Sequence, residues 1–153
     1  MTNKELLERY PFLKPRNRWI GKLIIQDEKE EEKLWTELDA MPHGWRIAFG
    51  EQMCEEIREE LIKYDCLDKY RVVQIKEKFG QLCWYDNVAP GEVCDIIDKY
   101  IAISKKTCIQ CGKPATLVSK GWISPYCDCV KESAWYKEER FMPIEKFYGG
   151  GII

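Results

Sequence analysis

Cys108 and Cys111 stand in CIQCG, and after fifteen intervening residues Cys127 and Cys129 follow in CDC. Four thiols in so short a stretch constrain this chain more than any other feature, because they must end as a metal site, a redox centre or a disulfide staple. Gly112 and Pro114 supply a knuckle that turns two thiolates toward one ion. The spacing approaches the C-x2-C…C-x2-C pattern of a ribbon in which tetrahedral zinc takes four sulfurs at about 2.3 Å. The second pair is one residue short, so its backbone has to turn more tightly, and Asp128 is a poor substitute for sulfur. The expected metal ligands are Cys108, Cys111, Cys127 and Cys129, the expected ion is zinc, and its role is structural because four thiolates leave no open position. A thioredoxin-like reading of CIQC needs the motif at a helix start after a strand, whereas here a helical pattern leads into it.

Composition argues against the staple. Eight Cys in 153 residues is about 5%, below the roughly 8–10% of short secreted disulfide scaffolds. No apolar run approaches the roughly 20 residues that span a bilayer, and MTNKELLERYPF alternates charge with hydrophobicity instead of forming a leader core. A cytoplasmic protein with no membrane partner is the expectation. The remaining cysteines, Cys54, Cys66, Cys83 and Cys94, lack ligand spacing and read as buried small hydrophobes. The net charge of −2 conceals an uneven distribution. Residues 26–40 hold seven acids against two lysines, and residues 104–131 hold five lysines against Asp128. Both stretches read as solvated surfaces, or as contact surfaces for a charged partner.

The fold class expected is α+β: a small antiparallel sheet built on a β-hairpin, packed by helices, with a C-terminal zinc-ribbon module. Three regions follow, an α+β core over 1–106, the ribbon-like module over 107–131, and a C-terminal helix and tail over 132–153. Residues 4–10 read as a short helix stopped by Pro11 and Pro15. KPRNRWIGKLIIQD gives a basic arm with a β-prone run at 23–25. It reads as a surface strand with Trp19 in the core, or as an arm that grips phosphates and stacks a base. Residues 26–40 read as an acidic linker. Trp45, Phe49, Met53, Ile57 and Leu61 recur every four residues, predicting an amphipathic helix over 44–64.

YRVVQIKEKFGQLCWYDN is the clearest β signal. Val73, Ile75, Leu82 and Trp84 share a face if Phe79 and Gly80 form a two-residue turn. Pro90 then opens a helix carrying Val93, Ile97, Tyr100 and Ile101. A short helix is expected over 131–140, ended by Pro143, and the tail FYGGGII is loosened by glycine and able to dock as a further strand.

Catalytic signatures are thin. His43 is the only histidine, no nucleophile elbow accompanies it, and neither G-x-x-x-x-G-K-[ST] nor G-x-G-x-x-G occurs. An enzyme is not the favoured reading.

IKEKFGQLCWY together with TCIQCGKPA…GWISPYC resembles a group of small bacteriophage and prophage proteins that share a K-E-K-F-G-x-L-R-[FW]-Y hairpin, a helix and a cysteine ribbon. The similarity covers about residues 45–129. It departs at Cys83, where the group carries Arg, and at the shortened Cys127-Asp128-Cys129 pair. The resemblance implies a phage accessory protein working in the host cytoplasm, and it brings no activity with it. Two partner classes are expected: a host protein, such as a component of a bacterial defence system that the chain inhibits, or alternatively DNA or RNA. Lys76, Lys78, Trp84 and Trp122 are the candidate contact residues.

Overall fold

The computed structural model describes residues 1–149. The helical pattern at the N-terminus forms α1 (Asn3–Arg9), started by a capping box in which Thr2 and Glu5 satisfy each other's backbone amides. Pro11 ends it and opens a 3-10 turn, Pro11–Leu13, that buries Phe12 and Leu13.

The acidic stretch is more than a linker. Leu34, Thr36, Glu37 and Leu38 are buried, and a 3-10 turn, Glu37–Ala40, packs on the hairpin. Asp39 organises it by accepting from the Thr36 amide and the Asn3 side chain and by pairing with Arg46. Acids here fall between apolar anchors, which a charge count alone does not reveal.

The period-four helix appears as one unbroken run in three parts: α2 (His43–Trp45), a π-helical turn (Arg46–Gly50) and α3 (Glu51–Lys63). Its apolar stripe, Trp45, Phe49, Met53, Ile57 and Leu61, lies wholly in the core. Trp45 is fully buried, its indole N–H donates to the Thr107 carbonyl at 2.9 Å, and truncating such a side chain costs about 3–5 kcal/mol.

The hairpin forms as β1 (Val72–Lys78) and β2 (Gln81–Asp86) around a turn in which Phe79 and Gly80 both have positive φ, 53° and 81°. That is the primed turn a right-twisted hairpin requires. Ile75, Leu82 and Trp84 face the core as expected, but Val73 does not. A bulge between Val72 and Gln74 inserts one residue, so Val72 is buried and Val73 turns to solvent. The helix α4 (Val93–Ser104) crosses the hairpin and α3, burying Val93, Ile97 and Tyr100.

The ribbon is a three-stranded sheet of order β4-β3-β5, made of β3 (Leu117–Ser119), β4 (Pro125–Tyr126) and β5 (Phe141–Pro143). The helix expected over 131–140 is replaced by 3-10 turns, Asp128–Glu132 and Glu138–Arg140. The chain between the cysteines and β5 has to fold back far enough for Phe141 to pair with Ser119, and a straight helix would carry it away. Pro143 accordingly closes a strand and caps α5 (Ile144–Tyr148). The return brings the module's aromatic side chains together. Tyr126, Trp135 and Tyr136 cluster around Phe141 with ring centroids 5.0–6.1 Å apart, over buried Val118 and Val130. The final residues of the predicted tail, 150–153, lie outside the described residues. Among the described residues no helix is long and apolar enough to cross a membrane.

The β-prone run at 23–25 makes only a single bridge, Arg16 to Leu23, and Trp19 is 94% exposed instead of buried. Of the four unspaced cysteines only Cys54 is fully buried; Cys94 is exposed.

Candidate metal centre

Each sulfur of the ribbon is aimed by local backbone chemistry. In the first knuckle, the Cys108 amide donates to the Lys113 carbonyl at 2.8 Å and the Gly112 amide donates back to the Cys108 carbonyl at 3.0 Å. Gly112 holds φ +84°, the left-handed conformation that reverses the chain. In the second, Cys127 sits at the start of the 3-10 turn Asp128–Glu132, and its sulfur accepts from the Cys129 amide at 3.4 Å. Cys127 is extended, with φ −103° and ψ −173°, and Cys129 lies in the 3-10 turn that follows, so the chain bends between them and both sulfurs of the C-x-C pair reach the cluster. The intervening Asp128 points to solvent and pairs with Lys131 at 3.3 Å.

The four sulfurs converge. Cys108 and Cys129 are 3.6 Å apart, Cys111 and Cys127 are 3.3 Å apart, and all four lie within 4.8 Å of one another. A tetrahedron with metal–sulfur bonds of about 2.3 Å has edges of about 3.8 Å, so the cluster already has the dimensions of a four-coordinate site. The S–S separations are also too long for disulfide bonds, which are near 2.05 Å. Four thiols, two of them on buried residues, can hold a metal ion of the kind that prefers sulfur in tetrahedral array. The electrostatics suit stepwise loading. The Lys113 amide and neighbouring thiols hold the Cys111 thiol down to about 7, while burial pushes Cys127 and Cys129 up. Cys111 therefore presents a thiolate more readily than Cys127 or Cys129, from which an ion must displace protons.

The centre is locked onto the core rather than tethered to it. The Gly44 amide donates to the Ile109 carbonyl, and the Ile109 amide to the Pro125 carbonyl, both at 2.9 Å. A Cβ on Gly44 would fall 2.6 Å from the Ile109 carbonyl carbon, and one on Gly112 would fall 2.7 Å from the Gly44 oxygen. The MPHGW turn thus reads as a seat for the knuckle, a role its Pro and Gly signalled only as a break in the pattern.

Comparison with protein-family models, with curated proteins and with solved structures finds no match to this chain.

The candidate contact residues separate. Trp84 is a core residue, 7% exposed, with its indole N–H on the Tyr70 hydroxyl at 3.0 Å, and it offers no surface to a partner. Trp122 is 81% exposed on the β3–β4 turn. Lys76 and Lys78 lie on the hairpin, their ammonium groups 5.6 Å and 5.7 Å from the Tyr85 and Phe79 rings. Phe79, read from the sequence only as a turn residue, is itself 73% exposed. It lies beside Trp122 because the two hairpin turns abut. Ile123 packs against Gly80, and the Glu77 carboxylate accepts from both the Gly80 amide and the Ser124 hydroxyl at 3.2 Å. Between the turns lies a cleft of about 270 Å³ lined by Glu77, Lys78, Phe79, Gly121, Trp122 and Ile123. His43 is exposed on its turn and makes no side-chain hydrogen bond among the described residues.

Proposed function

We propose that this chain is a zinc-stabilised binding module of the phage accessory type, which acts by docking on a host protein through the cleft between its two hairpin turns. One observation carries the reading: Phe79 and Trp122, two large aromatic side chains, are 73% and 81% exposed and line the same cleft. Leaving such surface in water is unfavourable by about 25 cal/mol per Å², and rigid exposed aromatics are the usual anchors of protein interfaces. The metal supports this arrangement at a distance. Backbone hydrogen bonds tie the first knuckle to Pro125 of β4 and to Gly44, and an ion on the four sulfurs would hold the two cysteine pairs together. Zinc is the ion the four-thiolate set favours, with no position left for catalysis.

A second reading, single-stranded DNA or RNA, has its own support. Glu77 is turned inward, so the outer face of the hairpin presents Lys76, Lys78 and Tyr85 with no carboxylate between them, and Lys78 shares the cleft with Trp122. Aromatic rings beside lysines suit bases and phosphates.

One experiment separates the two. The full chain is offered labelled single-stranded oligonucleotides over a salt series, and in parallel is cross-linked in bacterial lysate with native protein against Trp122→Ala. Protein docking predicts a cross-linked host protein that Trp122→Ala loses, with no oligonucleotide affinity. Affinity that falls steeply as salt rises would transfer the cleft to nucleic acid.

A further inference from the structure

The four sulfurs of the ribbon differ in their access to solvent. Cys108 and Cys127 are buried, whereas Cys111 and Cys129 are only partly covered, so each knuckle carries one sheltered and one open thiol. The close contacts cross between the knuckles and join unlike partners. Open Cys111 lies 3.3 Å from sheltered Cys127, and open Cys129 lies 3.6 Å from sheltered Cys108. An accessible sulfur with a second thiol within reach behind it is the arrangement of a redox-responsive pair: the outer sulfur meets the oxidant and the inner one resolves the product. Here the arrangement occurs twice, once in each direction across the cluster.

Oxidation has a defined outcome in this geometry. The open thiolate attacks one oxygen of hydrogen peroxide, the O–O bond breaks, and a sulfenic acid forms as hydroxide leaves. The sheltered thiolate then attacks that sulfur and expels a second hydroxide, closing the S–S bond. Each pair gives up two electrons, which with two protons turn one peroxide into two waters. Either contact needs to shorten by only about 1.5 Å to reach the length of a disulfide. Disulfide sulfur carries no negative charge, so an ion held by four thiolates loses its ligands as the pairs close. The two pairs span 21 and 16 residues of chain, and both join the first knuckle to the second, the link that an ion otherwise provides.

We propose that the centre is a redox switch that exchanges zinc for two cross-knuckle disulfides, Cys111–Cys127 and Cys108–Cys129, when it meets a hydroperoxide, and that the ribbon stays folded through the exchange. The switch rests on zinc occupancy of the four-thiol site and is independent of what the Phe79–Trp122 cleft binds.

Hydrogen peroxide added to the zinc-loaded full chain, in the presence of a zinc-responsive dye, tests it. One zinc ion per chain is released as peroxide is consumed, and dithiothreitol with added zinc restores the starting protein. Trypsin leaves Cys108 and Cys111 on the peptide 107–120, since Lys113 precedes a proline, and Cys127 and Cys129 on 121–131. Mass spectrometry of the oxidised protein should find these two peptides covalently joined. Limited oxidation followed by alkylation assigns the partners: molecules with one disulfide carry the label at Cys108 and Cys129, or at Cys111 and Cys127. Hydrogen exchange in β3 and β5 stays slow in the oxidised, metal-free protein, whereas chelation under reducing conditions speeds it. Zinc retained through the exposure, the two peptides recovered unlinked, labels on any other pair, or loss of protection in β3 and β5 after oxidation would each overturn the proposal. A protein that purifies without zinc would overturn the metal assignment itself, a failure told apart from the others by the zinc content before peroxide is added.

Discussion

The amide of Gly44 donates to the carbonyl of Ile109 at 2.9 Å, so the helix that fills the core and the knuckle that bears Cys108 and Cys111 meet along a backbone seam with no space for a side chain. Gly44→Ala forces that seam apart. Overpacking of this kind costs about 1–3 kcal/mol, and here the loss falls on both modules. Urea unfolding followed by near-ultraviolet circular dichroism should show the lower midpoint, and metal titration of the same variant a weaker site.

Removing the metal should melt the ribbon before the core. The core cluster, from Leu6 to Tyr100, contains none of the four sulfurs. Each protein molecule should release one zinc ion to a chelator, and hydrogen exchange should then rise first in β3 and β5 while α3 and β1 stay protected. Uniform loss of protection would show instead that the two modules unfold as one. Cys129→Ser should reproduce the chelated state.

Arg9 grips Glu55 with two nitrogens, and Tyr10 adds its hydroxyl at 2.7 Å. This holds the Glu55 carboxyl down from 4.5 to about 2. A carboxyl lowered on folding contributes stability that is present above its ordinary value and lost as pH falls through the lowered one. The pair is largely exposed, so solvent screening keeps the contribution small. The melting temperature of Arg9→Met should lie below that of the native protein near neutral pH, and the gap should close between 4.5 and about 2.

Two tryptophans should answer oppositely to truncation. Trp84→Ala removes a buried ring hydrogen-bonded to Tyr70 and should cost about 3–5 kcal/mol. Trp122→Ala should leave stability within about 0.5 kcal/mol while removing partner binding. Thermal melts of the two variants, set beside their recovery of the cross-linked partner, check both halves.

How much of this could be read from residues alone depended on whether the signal was local. Hydrophobic recurrence located α3, α4 and the hairpin because each buries one face of its own segment. Cysteine spacing located the four-sulfur cluster because chelation fixes spacing, even where the second pair is C-x-C. What stayed hidden depends on contacts between distant segments. A single inserted residue at the β1 bulge exchanged Val73 for Val72. The pairing of Phe141 with Ser119 turned an expected helix into a returning strand. Trp84 and Trp122 look alike as aromatic residues in β-rich stretches, and only the packing of α4 on one and the abutment of two turns beneath the other distinguish core from surface.

The strand order β4-β3-β5 also fixes a sequence of events during synthesis. The N-terminal body can assemble as soon as Ser104 has emerged, but the aromatic lid of the ribbon is completed only when Phe141 leaves the exit tunnel. Between the emergence of Cys129 and that of Phe141, roughly one to two seconds at typical elongation speeds of about 5–20 residues per second, the four thiols stand without the strand that completes their sheet. Oxidants and competing ions have their best access to the nascent chain then.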